Sequence, residues 1–400
     1  MNILFVHEVD FLRKVVFELQ TLSERLSLAG HNVYAIDYES MWVKKNLLDF
    51  GTLRTKEVNV ARAYPEASVK LIRPGFIKIP ILSRMSAFLT HYWAIKRAIV
   101  EKKIDVIILY SVPTNGLQTI YLAKRFGVPV VFRSIDILNQ LVPNKMLSRV
   151  THFLEKRIYA KADLILSISP KLSQYVANMG AKTKVRLLLL GVDTNLFHPG
   201  LGGNGQRWGL KVGDKVIVFV GTLPKFSGLD VFIRRFPDIL KKVPNAKLLI
   251  VGGGSQWLEL ERIIDELDLQ ERVIITGFQP HETIPDYINL AEVCINPFII
   301  NGATKDIFPT KVIQYLACGK PIVSVALAGL KAVIAGEAQG VVYARCADKM
   351  VSEIIALLNS DEKRQRLGRG AINYIKQAHS YDSIVQQLEN ELEGLVRGNV

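Results

Sequence analysis

Val218-Phe219-Val220-Gly221-Thr222-Leu223 is an apolar run of strand length that enters a glycine turn, followed by Lys225, Gly228 and a helical pattern that begins near Asp230. A strand, a glycine and a helix in this order make one βα unit. Glycine lets the backbone approach an anion closely, and the turn amides with the helix N-terminus supply partial positive charge. Lys225 adds a full charge. One unit later, Ile250-Val251-Gly252-Gly253-Gly254-Ser255 repeats the arrangement. It is not the GxGxxG fingerprint of a dinucleotide site, because the later glycine and the ribose-binding acid are missing from the required places. An NAD-dependent enzyme is thereby disfavoured, and for either loop alone a plain tight turn remains the competing reading.

Outward from these loops, short apolar runs alternate with amphipathic stretches along the whole chain, the pattern of parallel βαβ units. Before residue 200 the expected strands are Ile3 to Val6, Val33 to Ile36, Val106 to Leu109, Val128 to Phe132, Leu164 to Ile168 and Val185 to Leu190. A helix is expected from about Leu12 to Ala29, with Leu12, Val15, Leu19, Leu22 and Leu26 at helical spacing and Gly30 as its left-handed cap. The Gly/Pro/Asn-rich stretch from His198 to Gly205 interrupts the pattern and reads as a linker. After it come Val216 to Val220, Lys247 to Val251, Arg272 to Thr276, Val293 to Ile295, Ile322 to Val325 and Gly340 to Tyr343. A chain of 400 residues with 49% apolar and 22% charged residues suits two domains. Both are α/β and Rossmann-like, over 1–197 and 198–378, and residues 379–400 read as a terminal helix that crosses back to the first.

The longest apolar candidate is broken by Lys320 and Lys331, short of the roughly 20 residues that span a bilayer. Met1 to Val6 reads as a first strand rather than a signal-peptide core. A cytoplasmic location is expected. Cys294, Cys318 and Cys346 are odd in number and far apart, which favours buried free thiols over a disulfide framework or a CxxC site. The formal net charge of +14 is uneven: residues 1 to 200 hold 28 Lys and Arg against 15 Asp and Glu, and residues 201 to 400 hold 23 against 22. Such asymmetry points to an anionic partner for the first half, a membrane surface or lipid phosphate, or else to a solvated basic face. No nucleic-acid motif with interleaved aromatics is present, so nucleic acid is not expected as a partner.

A third loop runs Thr304-Lys305-Asp306-Ile307-Phe308-Pro309-Thr310-Lys311-Val312-Ile313-Gln314-Tyr315-Leu316-Ala317-Cys318-Gly319-Lys320-Pro321. Pro309 suits the first turn of a helix, which would set Thr310 and Lys311 at its positive end. Lys311 and Gln314, three apart, project from one helical face toward a phosphate and a ribose.

With these segments in view, the chain resembles retaining glycosyltransferases of the GT-B fold, family 4, over nearly its whole length. Gly191-Val192-Asp193-Thr194-Asn195-Leu196-Phe197-His198-Pro199 looks like that family's interdomain signature. Ile250 to Gly254, Arg272 to Phe278, His281 to Tyr287 and Ala317-Cys318-Gly319-Lys320-Pro321-Ile322-Val323 match its successive second-domain segments. The resemblance implies two Rossmann-like domains facing across a cleft, with the acceptor on the first and the nucleotide sugar on the second. Its paired glutamates for the donor sugar and ribose fall at Asp306 and Gln314. Its diphosphate-binding Arg and Lys fall at Thr222 and Ser227, so both charges are missing, and Lys225 and Lys311 are the substitutes this chain offers. Gly277 and Phe278 lie where the family contacts the nucleobase. In the first domain His7-Glu8-Val9-Asp10 replaces a glycine pair, Ile135 replaces a histidine, and Asp136 matches the acid that follows. Asp136 is a catalytic candidate, with a turn or cap role as its alternative, and Arg133 is a candidate phosphate ligand.

The implied chemistry is transfer of a sugar from a nucleotide-diphosphate sugar to a hydroxyl acceptor, a lipid-linked or glycan precursor, with the anomeric configuration retained. Neither cofactor nor divalent metal is expected. Catalysis rests on fixed positive groups aimed at the departing diphosphate. The expected catalytic residues are Asp136, Asp306 and Lys311. Donor-binding residues are Gly221, Thr222, Lys225, Gly252, Gly253, Gly277 and Phe278, with Asp306, Ile307, Phe308, Thr310, Lys311 and Gln314 from the third loop. Leu82, Met85, Leu89, Tyr92, Ile95 and Ile99 form a helical stripe beside Arg84, Lys96, Arg97, Lys102 and Lys103; it either packs inward or rests in an anionic membrane interface. Gly75 to Ile81, before it, also mixes apolar and basic groups. A non-catalytic nucleotide-sugar-binding partner of another transferase and a nucleotide-sugar epimerase are the alternative functions.

Overall fold

In the computed structural model, residues 1–13, 16–39, 49–79, 82–142, 144–203, 205–302 and 304–398 are described. Two units form, Met1–Leu189 with Ile384–Val400, and Leu190–Ser383. In each, the short aliphatic runs at the centre of the sheet become fully buried parallel strands, because helices cover both sheet faces there and leave no strand position for polar alternation.

Unit 1 contains β1 (Asn2–Val6), α1 (Glu18–Leu28), β2 (Asn32–Ile36), β3 (Lys56–Val60), β4 (Val69–Arg73), α2 (Leu82–Glu101), β5 (Val106–Leu109), α3 (Gly116–Phe126), β6 (Val130–Ser134), α4 (Leu138–Leu141), α5 (Lys145–Tyr159), β7 (Leu164–Ser167), α6 (Pro170–Asn178) and β8 (Val185–Leu187). The sheet order is β3-β4-β2-β1-β5-β6-β7-β8. All neighbours are parallel except β3 and β4.

Unit 2 contains β9 (Lys215–Val220), α7 (Leu229–Leu240), β10 (Ala246–Val251), α8 (Trp257–Glu266), β11 (Val273–Ile275), α9 (Ile284–Asn289), β12 (Val293–Asn296), α10 (Lys311–Ala317), β13 (Ile322–Val325), α11 (Ala328–Lys331), β14 (Val341–Ala344), α12 (Ala347–Leu358), α13 (Asp361–Ala378) and the start of α14 (Tyr381–Val396). Its sheet is parallel throughout, in the order β11-β10-β9-β12-β13-β14.

Several expectations need correction. Strands β3 and β4 were not anticipated: β3 reads Lys-Glu-Val-Asn-Val and is exposed, an antiparallel edge whose sequence lacks a buried run. Helix α1 starts at Glu18 rather than near Leu12, because Asp10 Oδ1 accepts the Leu12 and Arg13 amides and holds that segment in a turn. Val15 lies outside the described residues. Gly30 does end the helix, with φ +90° and its amide on the Ser27 carbonyl. The stretch from His198 to Gly205, whose Asn204 also lies outside the described residues, is no linker. Gly203 donates to the Asp286 carbonyl, and Gly202 lies so close to Leu290 that a Cβ there would clash.

The chain enters unit 2 earlier than residue 198, since Val192 bridges to Ser380, donates to the His379 carbonyl and accepts from the Tyr381 amide. That pairing also keeps 379–383 in unit 2, so the part of α14 that belongs to unit 1 begins at Ile384 rather than 379. There Glu389 meets His31 at 2.8 Å, and Glu391 pairs with Arg186. Cys294 and Cys318 are buried as expected, but Cys346 is exposed because it precedes α12 in an extended turn. Among the described residues, no helix is long and apolar enough to cross a membrane.

Candidate functional site

In unit 2 the chain places β10 and β11 on one side of β9, then returns to place β12 on the other. Open parallel sheets take ligands beyond the strand carboxyl ends at such a reversal. Three glycines meet there. Gly221 ends β9 with φ +136°, Gly252 follows β10 with φ +146°, and Gly277 follows β11 with φ +75°. Gly221 donates to the Val251 carbonyl at 2.9 Å, and Gly252 bridges to Gly277. A Cβ on Gly252 would stand 1.9 Å from the Gly221 carbonyl oxygen, so only glycine permits this approach. The Leu223 amide donates to the Gly253 carbonyl at 3.1 Å. Phe278, 66% exposed, lays its ring against Gly253, and Trp257 flanks Gly277.

Helix α10 is pinned to β9 by Tyr315, whose hydroxyl accepts the Val220 amide at 2.6 Å. One turn earlier, Lys311 is therefore carried to the end of β9. Its Nζ lies 3.5 Å from the Phe219 ring centroid and 4.6 Å from that of Phe298, just beyond β12. Lys311 is 9% exposed, and among the described residues no carboxylate or hydrogen-bond acceptor meets its ammonium. Burial alone pushes its pKa well below the ordinary 10.5. Ring faces return up to about 2 kcal/mol to a desolvated cation. Leaving an ammonium buried and unpaired costs several kcal/mol, so the site is electrostatically incomplete.

The other second-half candidates divide. Gln314 is half-buried on the same helix as Lys311. Asp306 and Ile307 are half-buried in the preceding loop, which is fixed by the Gly329 amide on the Lys305 carbonyl. Phe308 turns inward, stacked on His379 with centroids 6.0 Å apart, so its ring is not free for a ligand. Thr222 and Thr310 are exposed. Pro309 lies outside α10, which begins only at Lys311, and α10 has no side-chain cap. Lys225 is exposed in a short turn, and its charge acts on Glu259 of α8. Nothing among the described residues brings it to Lys311. Ser227 is buried and donates to Gln256 Oε1 at 2.9 Å. Sequence reasoning missed Phe219 and Phe298, because the hydrogen bond of Tyr315 to Val220 that carries Lys311 to the β9 end is not legible in the sequence.

Two family models match: Glycosyltransferase Family 4 over residues 19–196 and Glycosyl transferases group 1 over residues 204–374. A relative from Mycolicibacterium smegmatis, a GDP-mannose-dependent alpha-(1-6)-phosphatidylinositol monomannoside mannosyltransferase, is 30% identical over 221 residues; the match spans 53% of this chain and 57% of the relative. Sucrose-phosphate synthase from Thermosynechococcus elongatus superposes with a TM-score of 0.74 at 19% identity, over 100% of both chains. By sequence and fold, the chain belongs with the GT-B glycosyltransferases. Anabaena Alr3699/HepE, solved in complex with UDP-glucose, matches with a TM-score of 0.69 at 17% identity, over 98% of this chain and 100% of that one.

In unit 1 of this GT-B chain, Asp136 follows β6, apart from the unit 2 residues in the chain's division. Burial first, and the Glu18 charge second, raise its pKa to about 6. Arg133 is not a phosphate ligand. It is fully buried, ion-paired with Glu18, and donates to the Leu188 carbonyl at 2.7 Å, so its fork is spent inside the unit. Unit 1 also reverses its strand order, between β1 and β5. Glu8 occupies that point: its Oε1 accepts from the Ser111 hydroxyl and from the Thr114 and Asn115 amides, the last at 3.0 Å. The chain's own carboxylate thus sits where an anion would be received in unit 1, whereas unit 2 keeps an unpaired cation.

Proposed function

We propose that the chain is a glycosyltransferase whose donor, a nucleoside-diphosphate sugar, binds unit 2 with its diphosphate against Lys311 and the turns at Gly221 and Gly252. The observation that carries this reading is the buried Lys311 ammonium without an anionic partner beside the glycine turn at Gly221, against which Gly252 packs closely. A diphosphate supplies the missing charge. On leaving, it gains negative charge, which a fixed ammonium in a poorly hydrated place stabilises strongly. Phe278 offers a face to the base, and Gln314 and Asp306 offer acceptors to ribose and sugar hydroxyls. Lys225 contributes at most a remote charge.

The acceptor hydroxyl is proposed to belong to a lipid-linked or glycan precursor, with Asp136 orienting the sugar. Retention of configuration without a divalent metal or other cofactor follows the family resemblance. A cytoplasmic location is proposed from the apolar pattern, and contact between basic unit 1 and an anionic membrane surface from the uneven charge. Titration of the full chain with UDP, GDP and ADP tests the donor site. At one hundred times its dissociation constant, the right nucleotide adds about 2.7 kcal/mol of stability. If none of them binds, or if Lys311→Met binds as well as the parent, the assignment falls. Binding without turnover on any acceptor would favour the non-catalytic partner, a reading motivated by Ser227, which is consumed by Gln256 where the family has a lysine.

A further inference from the structure

We propose that the outward faces of α2, α3 and α5 form one docking surface for an anionic lipid bilayer. This deepens, and rests on, the membrane contact suggested for basic unit 1, and it adds α5, whose sequence had not drawn notice. Ala94 and Ile95 of α2, Ile120 and Ala123 of α3, and Ile158 and Tyr159 of α5 belong to one core cluster with the sheet. Helix α3 packs against both α2 and α5. The three helices therefore lie on one side of the sheet, and their opposite faces point the same way.

Those faces are apolar where solvent-facing helices are polar. Helix α2 carries two apolar faces: Ile95 and Ile99 pack inward, while Met85, Leu89 and Trp93 stand out, Trp93 at 60% exposure. The stripe divides accordingly, with Ile95 and Ile99 buried and Leu82, Met85 and Leu89 exposed. On α5, Met146, Leu147 and Phe153 are exposed, Met146 at 75%, and so is Tyr121 of α3, the helix packed against both α2 and α5. A contiguous exposed face of large apolar side chains marks an interaction site.

Charge selects the occupant. Exposed cations flank the apolar groups: Lys145, Arg149, Lys156 and Arg157 on α5, Lys124 and Arg125 on α3. The acids of these three helices are Glu101 and Glu155. Glu155 is buried and accepts the Leu138 amide at 3.0 Å, and Glu101 is neutralised by Arg97 at 2.7 Å. Lys96 lies over Trp93 and Arg157 over Phe153, at 5.0 and 4.6 Å. Apolar groups that insert among acyl chains, ringed by cations that meet lipid phosphates, fit a bilayer surface. A nucleic acid would use the cations and leave the apolar groups idle.

The test is flotation of the full chain with vesicles of phosphatidylglycerol and phosphatidylcholine, against phosphatidylcholine alone, at low and high salt. The parent is expected to float with the anionic vesicles at low salt. Met146→Ser/Phe153→Ser and Met85→Ser/Trp93→Ser should each weaken binding roughly tenfold, by loss of buried apolar area. Leu258→Ser, an exposed leucine of unit 2, should leave it unchanged. Unchanged melting temperature and nucleotide affinity in all variants separate this test from folding and from the donor site. Serine variants that float like the parent overturn the face and spare the membrane reading. A parent that never floats overturns both, and equal binding to RNA that ignores the serine changes assigns the surface to polyanions instead.

Discussion

The ammonium of Lys311 stands 3.2 Å from the point that a Cβ on Gly221 would occupy, so the lysine tip and the bare glycine share one small space at the end of β9. The lysine comes from α10 and the glycine from the turn after β9, and Tyr315 on Val220 holds the two elements together.

Replacing Lys311 by methionine should have opposite effects on stability and on binding. The apo protein should melt higher, because a buried unpaired charge is removed. Nucleoside diphosphate should bind about 10- to 100-fold more weakly, the worth of a charged hydrogen bond. The apo gain should shrink as pH approaches about 10.4, where the unfolded lysine also loses its charge. Thermal melts of both proteins, with and without ligand, read all three effects.

Affinity for the diphosphate should fall as pH rises. Burial lowers the Lys311 pKa in the free protein, and a bound dianion favours the charged form and raises it. Above the free value, binding takes up a proton, and affinity drops by up to about tenfold per pH unit. Calorimetric titration in buffers of different ionisation enthalpy measures that uptake. No uptake at any pH would mean that Lys311 does not touch the phosphate.

Gly221→Ala and Gly252→Ala should differ in kind. At Gly252 the new Cβ meets the Gly221 carbonyl at 1.9 Å, and with φ +146° the backbone cannot yield cheaply. A stability loss of about 2 kcal/mol or more is expected. At Gly221 the backbone, with φ +136°, strains alanine as well, but the Cβ meets the flexible tip of Lys311 rather than a carbonyl, so stability and nucleotide affinity should fall together. Urea melts and ligand titrations of the two variants distinguish them.

Asp136→Asn should stabilise the protein above pH 6. The acid's folded pKa of about 6 exceeds its unfolded value of about 3.9. Stability associated with this group is therefore complete below about pH 4 and lost as pH rises through 6. The amide should flatten that slope, by about 3 kcal/mol at most. If Asp136 also orients the sugar, turnover falls while stability rises.

Glu18→Gln should cost about 3–5 kcal/mol, because it strands the buried Arg133 guanidinium. Glu18→Met with Arg133→Met together should cost far less. Denaturant melts of the single and double variants test the difference, and similar losses in both would contradict the pairing.

Most of the framework could be read from the chain. Val106 to Leu109 and Ile322 to Val325 coincide with β5 and β13, and Gly221, Gly252 and Gly277 end their strands where the apolar runs stop. The misses share a cause. Lys56–Val60 carries no apolar run because it is a sheet edge, and the second apolar face of α2 hides in a stripe that reads equally well as core. Arg133 looked like a ligand because the sequence does not reveal that Glu18, on a distant helix, claims it.

The order of apolar runs and glycines alone determined two parallel-sheet units and a glycine turn at the end of each strand that matters, because strand and helix periods are local properties of the chain. Only the tertiary structure decided which cation stays unpaired. Lys225 and Lys311 look equivalent in the sequence, but strand crossover sets one in solvent near Glu259 and carries the other between Phe219 and Phe298, where water no longer shields its charge.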